Sequence, residues 1–114
     1  MEIQELAQKA AFFASEKKAK NILILDVAEL TSFADYFVIC EAQSERQVQA
    51  VAQSVISGLK TLDKAPLGIE GLEQGNWVLV DYGDFVVHVF MSDLRHYYNL
   101  EGFWHQAKII PCDF

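Results

Sequence analysis

Trp77-Val78-Leu79-Val80-Asp81-Tyr82-Gly83-Asp84-Phe85-Val86-Val87-His88-Val89-Phe90-Met91 is the stretch that decides the fold. Two runs rich in β-branched and aromatic residues flank Gly83-Asp84, a pair suited to a tight two-residue turn, so the segment reads as a β-hairpin. If Tyr82 pairs with Phe85, then Val80 meets Val87, Leu79 meets His88, Val78 meets Val89 and Trp77 meets Phe90. Side chains alternate across a strand, so this register sorts them into two sets. Val78, Val80, Tyr82, Phe85, Val87, Val89 and Met91 form one set, apolar apart from a phenol, and suit a core beneath helices. Trp77, Leu79, Asp81, Val86, His88 and Phe90 form the other, with a carboxylate and an imidazole among large apolar groups. Such a mixed surface has the make-up of an interface centre, where aromatics carry much of the affinity. The alternative is that the first helix or the C-terminal segment covers this face, with His88 hydrogen-bonded inside.

The elements upstream follow from periodicity. Pro66 to Gly71 alternates Leu67 and Ile69 with glycines and Glu70, which fits a short strand near a sheet edge. Ser44 followed by Gln47 has the capping-box form, and Val48, Val51, Ala52, Val55, Ile56, Leu59 and Leu62 then keep one apolar stripe, as a helix requires. Ile22 to Leu25 and Tyr36 to Cys40 are short unbroken apolar runs, expected of strands covered on both faces. From Glu2 to Lys18, Ile3, Leu6, Ala7, Ala10 and Ala14 recur at helical spacing, with acids at the start and lysines at the end to complement the helix dipole. Beyond the hairpin, Ser92 is placed to cap a helix running through Tyr98, with another short turn near Leu100 to Trp104. The order predicts an α/β chain of the α+β type: one domain holding a mixed sheet of about five strands with flanking helices.

At 114 residues the chain suits one core and no second domain. Hydrophobic residues at 52% and charged residues at 22% fit a soluble globule. No run approaches the roughly 20 apolar residues of a spanning helix, and the N-terminus lacks the pattern of a signal peptide, so a cytoplasmic protein without a membrane partner is expected. Two cysteines, Cys40 and Cys112, suit a reducing compartment. The formal charge of −7 opposes a phosphate-rich partner and favours a basic protein surface, so no sequence-specific nucleic acid is expected.

Chemistry finds little support. Nucleotidyl transfer needs a Gly-Ser turn for phosphates and closely spaced carboxylates for two metal ions. Glu41-Ala42-Gln43-Ser44 lacks the glycine, and Asp81 and Asp84 straddle a turn, where carboxylates ordinarily shape the backbone. His88, His96 and His105 have no zinc-motif spacing, and Cys40 at the end of an apolar strand reads as a buried thiol rather than a nucleophile. Lys17, Lys18 and Lys20 lack interleaved aromatics and sit at a helix C-terminus, where the dipole accounts for them. Tyr97, Tyr98, Phe103 and Trp104 supply aromatic area near the end of the domain, with Trp104 expected inward and Tyr98 more accessible. No catalytic residue, metal or cofactor is expected.

Asp35-Tyr36-Phe37-Val38-Ile39-Cys40 and Ser44-Glu45-Arg46-Gln47-Val48, then Glu70-Gly71, Gly75 through Phe90, and Arg95-His96-Tyr97-Tyr98-Asn99-Leu100-Glu101 with Trp104, resemble the ordered motifs of the ribosomal silencing factor (Iojap-like) family. The resemblance runs from about Ile3 to Trp104, which marks residues 1–104 as the domain and 105–114 as a C-terminal tail. Ala42 departs from it, standing where the family usually has glycine before the helix cap, and the tail matches nothing. The resemblance implies a nucleotidyltransferase-like fold without the transferase site. It also implies a non-enzymatic role: binding the large-subunit ribosomal protein L-fourteen, hindering subunit joining and so repressing translation. In that role Trp77, Leu79, Phe90 and Tyr98 are expected as apolar anchors, and Glu70, Asp81 and Asp84 as acids meeting cationic side chains. His88 is expected to hydrogen-bond across the interface. Two other readings stand beside it: a nucleotide-binding or nucleotidyl-transferring enzyme on the same fold, and a homodimer formed through the same aromatic face.

Overall fold

The computed structural model describes residues 1–93 and 106–112. The N-terminal helix, α1 (Ile3–Ser15), turns Leu6, Ala7, Ala10, Ala11 and Ala14 inward. It stops short of the lysines assigned to its last turn, because the chain bends away at Lys18, whose φ of 65° lies in the left-handed region. The lysines therefore follow the helix rather than close it. The second helix, α2 (Glu45–Lys60), begins as its sequence predicts: Ser44 caps it, its hydroxyl accepting from the Gln47 backbone N–H at 3.1 Å. The return bond of the capping box is displaced by one residue, since Gln47 Oε1 accepts from the backbone N–H of Gln43. Gln47 Nε2 also donates to the carbonyls of Lys17 and Lys18, tying the start of α2 to the exit of α1.

The two helices approach closely because Gly58 has no side chain. A Cβ at that position would collide with the ring of Phe13. Ser54 Oγ donates to the Phe13 carbonyl beside it at 2.8 Å.

Among the described residues six strands make one mixed sheet: β1 (Lys20–Asp26), β2 (Tyr36–Ala42), β3 (Gly68–Glu70), β4 (Trp77–Asp81), β5 (Phe85–Met91) and β6 (Lys108–Ile110), in the order β3-β4-β5-β2-β1-β6. All neighbours are antiparallel except β2 and β5, whose parallel pairing at the centre needs the crossover through α2. The hairpin register is the one that the sequence implies: Trp77 faces Phe90, Val78 faces Val89, Leu79 faces His88 and Val80 faces Val87. Its turn depends on Gly83, at a φ of 84° that a side chain would resist.

The strand count is the main correction. A sheet of about five strands was expected, with 105–114 as a tail; the structure takes a sixth strand from that tail. Lys108, Ile109 and Ile110 pair with Asp26, Leu25 and Ile24 of β1. Gln8 Nε2 also donates to the Pro111 carbonyl at 2.9 Å, which fastens this end to α1. The helix expected from Ser92 through Tyr98 and the turn near Leu100 to Trp104 lie outside the described residues, apart from Ser92 and Asp93; Ser92 Oγ donates to the Ala42 carbonyl at 3.2 Å.

Both helices cover the same face of the sheet. There Leu6, Ala10, Val48, Val51, Val55 and Leu59 pack against Ile24, Val38, Val78, Val80, Val87 and Val89. The opposite face carries a second buried cluster, Leu25, Val27, Ala34, Phe37, Ile39, Val86 and Phe90. This second face holds the candidate site.

Candidate protein-docking site

Period-two alternation puts Trp77, Leu79 and Asp81 of β4 and Val86, His88 and Phe90 of β5 on the face turned away from the helices. Strand β3 extends it, because Glu70 lies opposite Leu79 and Gly68 opposite Asp81. Trp77, Leu79 and Asp81 are half-buried, and Glu70 and Asp84 are exposed. These five offer side-chain surface to a partner.

Phe90 and His88 do not. Phe90 is 0% exposed and His88 6%, so the expectation that they make direct contacts on an open patch is corrected. The centre of the face is closed to solvent and its margin is open. Tyr98, the remaining expected anchor, lies outside the described residues.

The aromatic groups form a connected stack. The indole of Trp77 lies over Phe90 at a centroid distance of 4.9 Å and 26° between planes, and Phe37 meets His88 edge-on at 5.0 Å. Trp77 Nε1 donates to His88 Nδ1 at 3.2 Å. An indole N–H can only donate, so Nδ1 must be the unprotonated nitrogen and the ring's proton must sit on Nε2. That Nε2 is buried and has no hydrogen-bond partner among the described residues. Burial accordingly pushes the His88 imidazole down to about 4, from an ordinary value of 6.5, and the ring is neutral at physiological pH.

The acids have separate duties. Asp81 Oδ1 accepts from the Gly83 backbone N–H at 2.8 Å and so helps to set the turn, as carboxylates in that position commonly do. The Asp84 carbonyl accepts from the backbone N–H groups of Asp35 and Tyr36, joining the hairpin turn to the β1–β2 loop and leaving its exposed side chain outside. Among the described residues no group of three or more His, Cys, Asp or Glu is arranged to hold a metal ion. No described helix is long and apolar enough to cross a membrane. Cys40 is buried, as its place in an apolar strand predicts.

Sequence reasoning passed over two features of this face. Glu41 is only 6% exposed and shares a face with Phe37 and Ile39, opposite Phe90. Its signal was available: β2 runs on past Cys40, and the alternation from Phe37 through Ile39 leads to position 41. Phe33, on the β1–β2 loop, is 64% exposed with its ring 6.0 Å from that of Phe37. No periodicity marks a lone loop aromatic.

Comparison with known proteins places the chain. Over residues 1–114 it matches the family described as "Ribosomal silencing factor during starvation". It is 40% identical over 114 residues to the ribosomal silencing factor RsfS of Bacillus subtilis, covering 100% of this chain and 97% of that one. It is 35% identical to the chloroplastic protein Iojap of Zea mays, covering 99% of this chain and 49% of the longer plant protein. A crystal structure of a Chromobacterium violaceum protein superposes with a TM-score of 0.90 at 43% identity, covering 92% of this chain and 88% of the other. One from Bacillus halodurans superposes at 0.83 and 40% identity, covering 95% and 98%. With matches that span the whole sequence and extend to the fold, the chain belongs to the ribosomal silencing factor family.

Proposed function

We propose that this chain is a cytoplasmic, non-enzymatic repressor of translation. It docks on ribosomal protein L-fourteen of the large ribosomal subunit and sterically blocks joining of the small subunit. The observation that carries the reading is the half-buried Trp77 and Leu79 at the margin of the second face, flanked by Glu70, Asp81 and Asp84. A tryptophan at the edge of a packed aromatic stack can bury large area against a partner with little further ordering, and acids around it favour a cationic surface. The formal charge of −7 acts in the same direction at long range. Inhibition by this route needs only binding and bulk, so no reacting group is required of the site.

Co-sedimentation with separated ribosomal subunits tests it. Wild-type protein should pellet with large subunits and not with small ones. Trp77→Ala, shown to be folded, should bind large subunits with a loss of about 2 kcal/mol, roughly thirtyfold in Kd. Capture of large subunits by that variant at wild-type strength would remove Trp77 from the interface.

A further inference from the structure

His88 has an energetic cost that its packing does not explain. Its position between Phe37, Trp77 and Phe90 is apolar, and a leucine there would bury no polar atom of its own. The imidazole instead buries Nε2 without a hydrogen-bond partner among the described residues. Its other nitrogen, Nδ1, has one partner, the indole N–H of Trp77.

Two of the described residues, Phe90 and His88, limit Trp77. Phe90 supplies a flat floor beneath the indole, stacked at 4.9 Å, and is itself fully buried. His88 lies beside the indole and takes its only polar hydrogen. Neighbouring backbone is fixed as well, since the Met91 N–H donates to the Asn76 carbonyl at 2.9 Å, one residue before Trp77. Stacking on Phe90 does not by itself choose between the two faces of the indole, whereas a directional acceptor such as His88 Nδ1 favours one orientation.

Resting on the docking function proposed above, we infer that His88 is a positioning residue: with Phe90 beneath, it fixes the Trp77 indole in the orientation that meets the partner, while neither His88 nor Phe90 touches the partner. An anchor ordered before binding does not lose that freedom on binding, which for one side chain corresponds to about two- to tenfold in affinity.

The test compares His88→Leu, which removes the acceptor, with His88→Asn, whose amide oxygen can occupy the place of Nδ1. Two readouts are taken. One is the indole N–H signal of Trp77 by nuclear magnetic resonance on the isolated protein, identified by its loss in Trp77→Phe. The other is the Kd for large subunits. In H88L the indole signal should leave its hydrogen-bonded position and exchange faster with water, and Kd should rise by about two- to tenfold; H88N should restore both. A folded H88L with an unmoved indole signal overturns the inference, as does a released indole with wild-type affinity. Should H88L fail to fold, His88→Phe replaces it, filling the space with a ring that has no acceptor. If wild-type protein does not bind large subunits, the docking reading alone falls. The indole signal still decides: release in H88L with recovery in H88N keeps His88 as the residue that orients Trp77, and an unmoved signal removes it.

Discussion

Val38, Cys40, Val78, Val80, Val87 and Val89 point from the sheet toward α1 and α2, while Phe37, Ile39, Val86, His88 and Phe90, from the same strands, point the other way. The helix side of the central strands is largely aliphatic, and small residues on α1 let the layers close. The far side is richer in rings, with a buried imidazole and a buried carboxylate, Glu41. Among the described residues each face also has one orphaned polar atom: the Tyr82 hydroxyl on the helix side and His88 Nε2 on the other. The hydroxyl belongs to a ring stacked on Phe85 at 4.8 Å, and the ring alone accounts for its place. The imidazole has a working nitrogen opposite its orphan. One face is built for burial, and the other tolerates a polar cost beside the candidate anchor.

Removing a large side chain from the helix-side core should have the largest effect on stability. Phe85→Ala deletes a fully buried ring from that layer and should cost about 3–5 kcal/mol in denaturant unfolding. Its remaining folded fraction should bind large subunits as wild type does. Weakened binding per folded molecule would show that the two faces are not separable.

The pH dependence of stability should come next and belong to the far face. His88 takes up a proton less readily folded than unfolded, since burial lowers it from 6.5 to about 4. The unfolded chain therefore binds the extra proton as pH falls through that interval. Stability from the neutral imidazole is complete above about pH 6.5 and declines toward pH 4, by about 1.4 kcal/mol per unit and on the order of 3 kcal/mol in all. Unfolding at a series of pH values, wild type against H88N, isolates this slope from that of the carboxylates, Glu41 included. Equal slopes would mean that His88 titrates normally.

Tyr82→Phe should have the smallest effect. It removes an orphaned hydroxyl that burial pushes up to about 12 and leaves the stacked ring, so stability should match wild type or rise by up to about 1 kcal/mol. A clear loss in a thermal melt would reveal a partner for the hydroxyl and make the two orphans alike.

The features that could be read from sequence were those governed by local rules. Ser44 and Gln47 announced α2, and Gly83-Asp84 fixed a register that sorted every side chain of β4 and β5 to its observed face. Burial of those faces could not be read in the same way: alternation says which residues share a side, not what lies over it, so an open face and a covered one stood as alternatives for Phe90 and His88. Strand β6 escaped for another reason. Lys108-Ile109-Ile110 is too short to display a period, and what makes it a strand is the outer edge of β1, far away in the chain. The exit of α1 was misjudged because lysines that suit a helix end also suit the turn that follows it.

The placement of β6 beside β1 bears on how the molecule is assembled during synthesis. A long stretch of chain, positions 27–107, separates the two strands, so the outer margin of β1 stays unpaired while α2 and the hairpin are being made. A nascent chain at that stage presents a bare row of amide and carbonyl groups along an apolar strand, the kind of edge at which neighbouring polypeptides aggregate. Three residues of β6 close it, so the β4–β5 hairpin can form well before the strand that protects the edge of β1 has been made.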